Sequence, residues 1–196
     1  MKKLVLVLTL AAFALAGTAF AQDPNWSDNI GVYTDEAATE NCATLGFLQE
    51  APAFLVLTKV TSPAIAGWES KIVLENVLLL DGIELRYDSI NAGSRADEYI
   101  VGFGAPVPVV GGTLVLADMT IKAINADPGN IFIDHVYFHV ADDPVPAYQD
   151  GAGDIFEIHP STIDGHEGGP VFFLNNGCDP VAVDEDTWGG VKSLYR

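Results

Sequence analysis

The chain has 196 residues, 49% of them hydrophobic, with 27 acidic against 9 basic side chains and a formal charge of −18. That apolar content is ample for a packed core and excludes a disordered chain. The acidity repels nucleic-acid phosphates and anionic lipid, so neither is an expected partner.

Residues 1–21 carry Lys2 and Lys3, an apolar run, and then Ala19-Phe20-Ala21. This is the pattern of a secretory signal peptide cleaved after Ala21. No later segment has the length needed to span a bilayer, so no membrane span is expected after cleavage. The expected location is the periplasm or the extracellular space. About 175 mature residues fit one folded domain, placed at 30–180 after a polar lead-in at 22–29 and before a tail at 181–196. Cys42 and Cys178 are the only cysteines. In an exported protein they are expected to form a disulfide, and neither belongs to a C-x-x-C pair that would mark a metal site.

Strand signals follow in chain order. Residues 30–33 form a short strand and 34–42 a polar turn region. Residues 53–60 form a strand bounded by Pro52 and Pro63. In 67–74, Trp68, Ser70, Ile72 and Leu74 alternate with Glu69, Lys71 and Val73. Residues 77–80 run into a turn at Asp81-Gly82, after which Ile83, Leu85 and Tyr87 share one face. Trp68 and Tyr87 are expected in the core. Residues 99–124 predict a hairpin, two strands joined through Pro106, Pro108 and Gly111-Gly112. In its second strand Val115, Ala117, Met119 and Ile121 face inward. Leu114 and Leu116 break that phase, which requires either a bulge or a cover over that end.

Asp127-Pro128-Gly129-Asn130 is a strong turn, and 131–140 follows as a strand. Residues 141–169 are rich in Asp, Gly and Pro, with one strand at 155–158; a last strand occupies 171–174. About eight or nine short strands, spaced by turns, predict an all-β antiparallel sandwich of jelly-roll or immunoglobulin-like type. In the tail, Trp188, Val191 and Tyr195 recur at i, i+3 and i+7, which predicts a short helical segment able to dock on a partner or on the sandwich itself.

The chemistry-bearing residues form no catalytic motif. There is no G-x-S-x-G elbow, and Pro106 and Pro108 block the helix that a phosphate-binding turn at Gly102-Phe103-Gly104 would need. His135 and His139 lie four apart, but on a strand their side chains would stand about 13 Å apart and share no metal. Asp150, Asp154 and Glu157 surround Gly151 and Gly153, a composition that suits a hard cation; a plain acidic turn is the preferred reading, and calcium is the candidate ion of the alternative. No other cofactor is expected. For sugar stacking the candidate residues are Tyr137 and Tyr148, with His135 and His139 beside Tyr137.

Two passages, Gly67-Trp68-Glu69 running to Leu74 and Gly112-Thr113-Leu114 running to Ile121, resemble the cohesin-like sandwich modules of secreted bacterial proteins. The resemblance spans residues 30–140 and implies a cohesin-like sandwich. The whole chain also resembles a group of short secreted bacterial proteins that share Asn41-Cys42, Pro146-Ala147-Tyr148-x-Asp150-Gly151 and the ending Trp188-Gly189-Gly190-Val191-Lys192-Ser193-Leu194-Tyr195-Arg196. Together these features predict an exported, non-catalytic binding module, with glycans as the preferred ligand class and a cell-surface protein as the other candidate partner. The alternative is a structural component whose tail docks on a neighbour. A glycoside hydrolase ranks last, because no carboxylate pair is identifiable.

Overall fold

The computed structural model describes residues 26–163, 168–176 and 178. The expected signal peptide, His166 and the tail with Trp188, Val191 and Tyr195 lie outside the described residues. Thirteen strands and no helix occur among the described residues. In chain order these are β1 (Asn29–Tyr33), β2 (Cys42–Ala43), β3 (Glu50–Thr58), β4 (Ala64–Glu75), β5 (Val77–Leu85), β6 (Ser89–Asn91) and β7 (Glu98–Pro108). There follow β8 (Leu114–Ala123), β9 (Gly129–Asp134), β10 (Ala147–Asp150), β11 (Ile155–Glu157), β12 (His159–Pro160) and β13 (Phe172–Leu174). The count exceeds the expected eight or nine because β2, β6, β11, β12 and β13 have only two or three residues each, too few to leave a periodic signal.

The strands make an antiparallel-rich sandwich. One sheet runs β12-β1-β3-β8-β5; the other runs β11-β10-β4-β9-β13-β2, with β7 and then β6 on the opposite edge of β4. The core lies between them. Ile30, Val32, Leu55, Leu57, Leu116 and Ile121 from the first sheet meet Trp68, Ile72, Ile131, Tyr148 and Phe172 from the second, all buried. Two parallel pairings, β1 with β12 and β13 with β2, close the margins of the sheets. A disulfide joins Cys42 on β2 to Cys178, with the Cα atoms 5.5 Å apart. No helix among the described residues is long and apolar enough to cross a membrane.

Three local expectations are corrected. Residues 99–124 are not a hairpin: β7 pairs with β4 and β6 in one sheet, whereas β8 pairs with β3 and β5 in the other. The Pro- and Gly-containing link between them carries the chain across the sandwich. Asp81-Gly82 is not a turn between strands but an interruption within β5. Leu80 pairs with Thr120 and Ile83 with Met119, so the two residues between, at φ 56° and 80°, loop out of the ladder. Tyr87 follows that strand and is half exposed, with its ring edge-on to Phe103 at 5.6 Å; Trp68 is in the core.

Leu114 and Leu116 satisfy both explanations offered for their phase. The β3–β8 register skips Leu116, so a bulge puts Leu116 and Ala117 together in the main core. Val115 then faces outward, where Tyr33, Val56, Phe54 and Ala38 cover it. Arg86 completes this cover. Its guanidinium lies 5.7 Å from the centre of the Phe54 ring, donates to both carboxylate oxygens of Asp118 at 2.7 Å, and pairs with Glu36. The apolar cluster around Val115 on the outer face of the first sheet is therefore covered by its own chain, while Leu78 on β5 stays exposed.

Candidate functional site

The second sheet carries its apolar residues differently. β9 ends with Asp134 opposite Lys71, and β10 begins with Ala147 opposite Glu69. Both strands lie on the same edge of β4, so residues 135–146 leave and rejoin it two positions apart. A compact excursion with neighbouring ends is held by its own packing rather than by a ladder. Val136 and Ala141 are its buried apolar anchors.

Two buried carboxylates beneath the loop supply its polar anchors. Trp68 and Ile72 point into the core, so alternation along β4 turns Glu69 to the outer face. Glu98 pairs with Lys71 across the ladder and shares that side. Each carboxylate is at most 4% exposed. Glu69 Oε1 accepts the Val140 N–H at 2.8 Å, and Glu98 Oε1 accepts the Tyr137 N–H at 3.0 Å. Glu98 also pairs with Arg95 at 3.1 Å, and the Arg95 guanidinium lies 4.5 Å from the centre of the Tyr137 ring. Backbone donors that no ladder serves are thus satisfied by side chains from the sheet below.

The result is an apolar tip anchored through the Tyr137 and Val140 amides. Tyr137, Phe138 and Val140 stand 61%, 77% and 58% exposed, with the two rings edge-to-face at 4.7 Å. Rings fixed by cation–π and backbone anchors lose little further freedom when a partner covers them. Of the residues that form this site, Tyr137, His135 and His139 are visible in the sequence; Phe138, Val140, Arg95, Glu69 and Glu98 are not. The signal available was the outward phase of Glu69 in the β4 alternation.

The expected strand over 131–140 is corrected, and with it the separation of the histidines. β9 stops at Asp134, whose Oδ1 accepts the His135 backbone N–H at 2.8 Å and competes with the ladder. The chain then turns, and the His135 and His139 ring centroids come to 5.5 Å, perpendicular, instead of the 13 Å spacing of a strand.

Tyr148 is placed elsewhere. It is 1% exposed, faces inward from β10 opposite Trp68, and stacks on Phe156 at 5.1 Å. Its hydroxyl donates to Asp28 Oδ1 at 2.7 Å, so it is a core residue and presents no face to a sugar. Nor are the three acidic residues brought into a cage. Asp150 Oδ1 accepts the N–H groups of Ala152 and Asp154, at 2.8 and 2.9 Å, and closes the β10–β11 turn. Glu157 lies at the far end of that hairpin, opposite Ala147. Among the described residues no group of three or more His, Cys, Asp or Glu side chains is placed to hold a metal ion.

Burial raises the Glu69 carboxyl above its ordinary value, while the Val140 N–H and His139 pull it partly back. A carboxyl raised in the folded state favours folding in its protonated form; that contribution is lost as pH rises through the folded value. Glu69→Gln keeps an oxygen for the Val140 N–H without the charge. The variant is expected to melt above the wild type at pH 7, with the gap closing on acidification toward the unfolded value. Thermal melts of both proteins over that range check this; a gap that widens in acid contradicts it.

No protein-family model and no curated protein sequence matches the chain. Solved structures do match. The sixth cohesin of scaffoldin B from Acetivibrio cellulolyticus, in complex with a dockerin, is similar with a TM-score of 0.50 and 5% identity, over 76% of this chain and 99% of that one. A type II cohesin domain from the cellulosome of the same organism gives 0.49 at 10% identity, over 78% and 96%. A cohesin from a type I cohesin–dockerin complex of Clostridium thermocellum gives 0.48 at 10% identity, over 79% and 96%. At such identity the first of these likenesses is one of fold: the chain is an all-β sandwich of cohesin-like architecture.

Proposed function

We propose that the chain is an exported, non-catalytic module that binds a protein partner through the outer face of its second sheet. The observation that carries this reading is the exposed Tyr137, Phe138 and Val140 tip, pinned by two buried carboxylates. Aromatic anchors at the centre of a patch carry most of the energy of protein–protein contacts. On the opposite outer face the apolar cluster around Val115 and Val56 is covered by Phe54, Ala38 and Arg86, with Leu78 on β5 left exposed, whereas the 135–146 loop presents two aromatic rings together. The cohesin of similar fold was solved in complex with a dockerin, and a shared sandwich supports a partner-binding role here. A glycan is the second reading, favoured because Tyr137, His135 and His139 gather on one loop.

Tyr137→Ser combined with Phe138→Ser is expected to change folding stability by less than about 1 kcal/mol, because both side chains are largely in solvent. Binding should fall about a hundredfold or more if the two rings are central anchors. Co-precipitation from the extracellular fraction of the producing cells, with a glycan array in parallel, reads the outcome. A protein retained by the wild type and lost by the variant supports the first reading, and array hits lost by the variant support the second. Identical retention by both proteins overturns the assignment of this face.

A further inference from the structure

His135 and His139 are each held through Nδ1. The Nδ1 of His135 faces Asp134 Oδ1 at 2.7 Å, and the Nδ1 of His139 faces the Ala141 carbonyl oxygen at 3.0 Å. An oxygen acceptor requires the proton on Nδ1, which leaves the lone pair of each neutral ring on Nε2. No described residue hydrogen-bonds either Nε2. Metal-binding histidines are oriented in this way, with the second ring nitrogen donating to a carboxylate or a carbonyl.

The spacing agrees with that reading. Two imidazoles that share a tetrahedral ion through Nε2 at about 2.0–2.1 Å have ring centroids roughly 5 Å apart. The observed separation is 5.5 Å. We propose that His135 and His139 form a two-histidine site for a borderline divalent transition ion, zinc being the reference, with water in the remaining positions. Imidazole suits zinc, copper and nickel, whereas calcium takes an oxygen cage that this pair does not offer. Asp134 and the Ala141 carbonyl act as positioning groups. The ion would tie the first residue of the 135–146 loop to its fifth, beside the clasps made by Glu98 to Tyr137 and by Glu69 to Val140. This site rests on ring geometry alone and stands or falls independently of the partner reading.

Calorimetric titration of the purified full chain with zinc chloride in excess calcium tests it. One saturable site per chain is expected. His135→Ala and His139→Ala should each weaken it by at least about tenfold, since losing even an outer partner of a ligating histidine costs that much. His159→Ala, outside the loop, should leave it unchanged. Melting in EDTA checks that each variant is folded, and His→Gln replacements serve where an alanine variant melts early. No saturable binding below about 1 mM zinc, or equal binding by the doubly substituted chain, overturns the site and assigns any uptake to the acidic surface.

Discussion

Replacing both Cys42 and Cys178 by serine is expected to cost about 3 to 5 kcal/mol of stability. The bond closes a loop with a sequence separation of 136, for which the chain-entropy account gives about 5 kcal/mol. Native-state effects subtract from that figure, hence the range. The cross-link also secures a weak margin. β2 has two residues, and its parallel pairing with β13 rests on Cys42 opposite Phe173 and Ala43 opposite Leu174. So short a strand cannot hold its place by backbone bonding alone. Around it, the Asn175 side-chain oxygen accepts the Leu45 N–H at 2.7 Å, and the Asn175 N–H donates to Ala43. Urea unfolding of the oxidised protein, the reduced protein and the double variant gives the comparison. Coincident midpoints for all three would show that the bond contributes nothing to the fold.

The second large effect is expected at Asp28, which is 6% exposed and stands at the junction of three elements. Its Oδ1 accepts the Thr61 N–H at 2.8 Å and the Tyr148 hydroxyl at 2.7 Å, and its Oδ2 accepts the Thr61 hydroxyl at 2.9 Å. Its own backbone N–H donates to Lys59, and its carbonyl accepts the His159 N–H. One carboxylate thus fastens the approach to β1, the β3–β4 connection and β10. Asp28→Ala removes the acceptor from the part-buried Thr61 amide and weakens the bonding of the buried Tyr148 phenol, at a cost of about 3 kcal/mol. Asp28→Asn keeps an oxygen and is expected to lose less. Tyr148→Phe removes only one donor and should cost about 1 kcal/mol, because Asp28 retains Thr61. Chemical denaturation of the three variants ranks them; Tyr148→Phe as damaging as Asp28→Ala would contradict this network.

The sandwich was legible because its long strands carry a period of two that burial preserves: Trp68 and Ile72 inward and Lys71 outward on β4 are as the sequence predicts. The cysteine pair was legible from composition and the expected compartment. What failed depended on contacts distant in sequence. Alternation in 99–124 cannot say whether β7 and β8 pair with each other or with separate sheets. Asp81-Gly82 has turn chemistry, yet β8 continues past it on the other side, so the two residues bulge instead.

The candidate site was legible only in part, for the same reason. The run IFIDHVYFHV has the composition of a strand. It stops being one at Asp134 because β10 takes the next stretch of β4, and β10 is four residues long with Gln149 and Asp150 in it. Tyr148 belonged to that hidden strand and went to the core. Glu69 and Glu98 read as solvated acids, since nothing local says that a loop 39 residues after Glu98 and 71 after Glu69 will cover them. Burial of a charge is decided by what arrives later.

The most direct test of the binding face is a photo-crosslinking residue placed at Phe138, with a second chain carrying it at Val110 as the comparison. Both positions are 77–78% exposed, and Val110 lies in the link between β7 and β8, away from the loop. The account predicts one discrete cross-linked product from position 138 in whole cultures of the producing cells, absent from position 110 and abolished by Val140→Asp. No product at 138, or the same products from both positions, would contradict it.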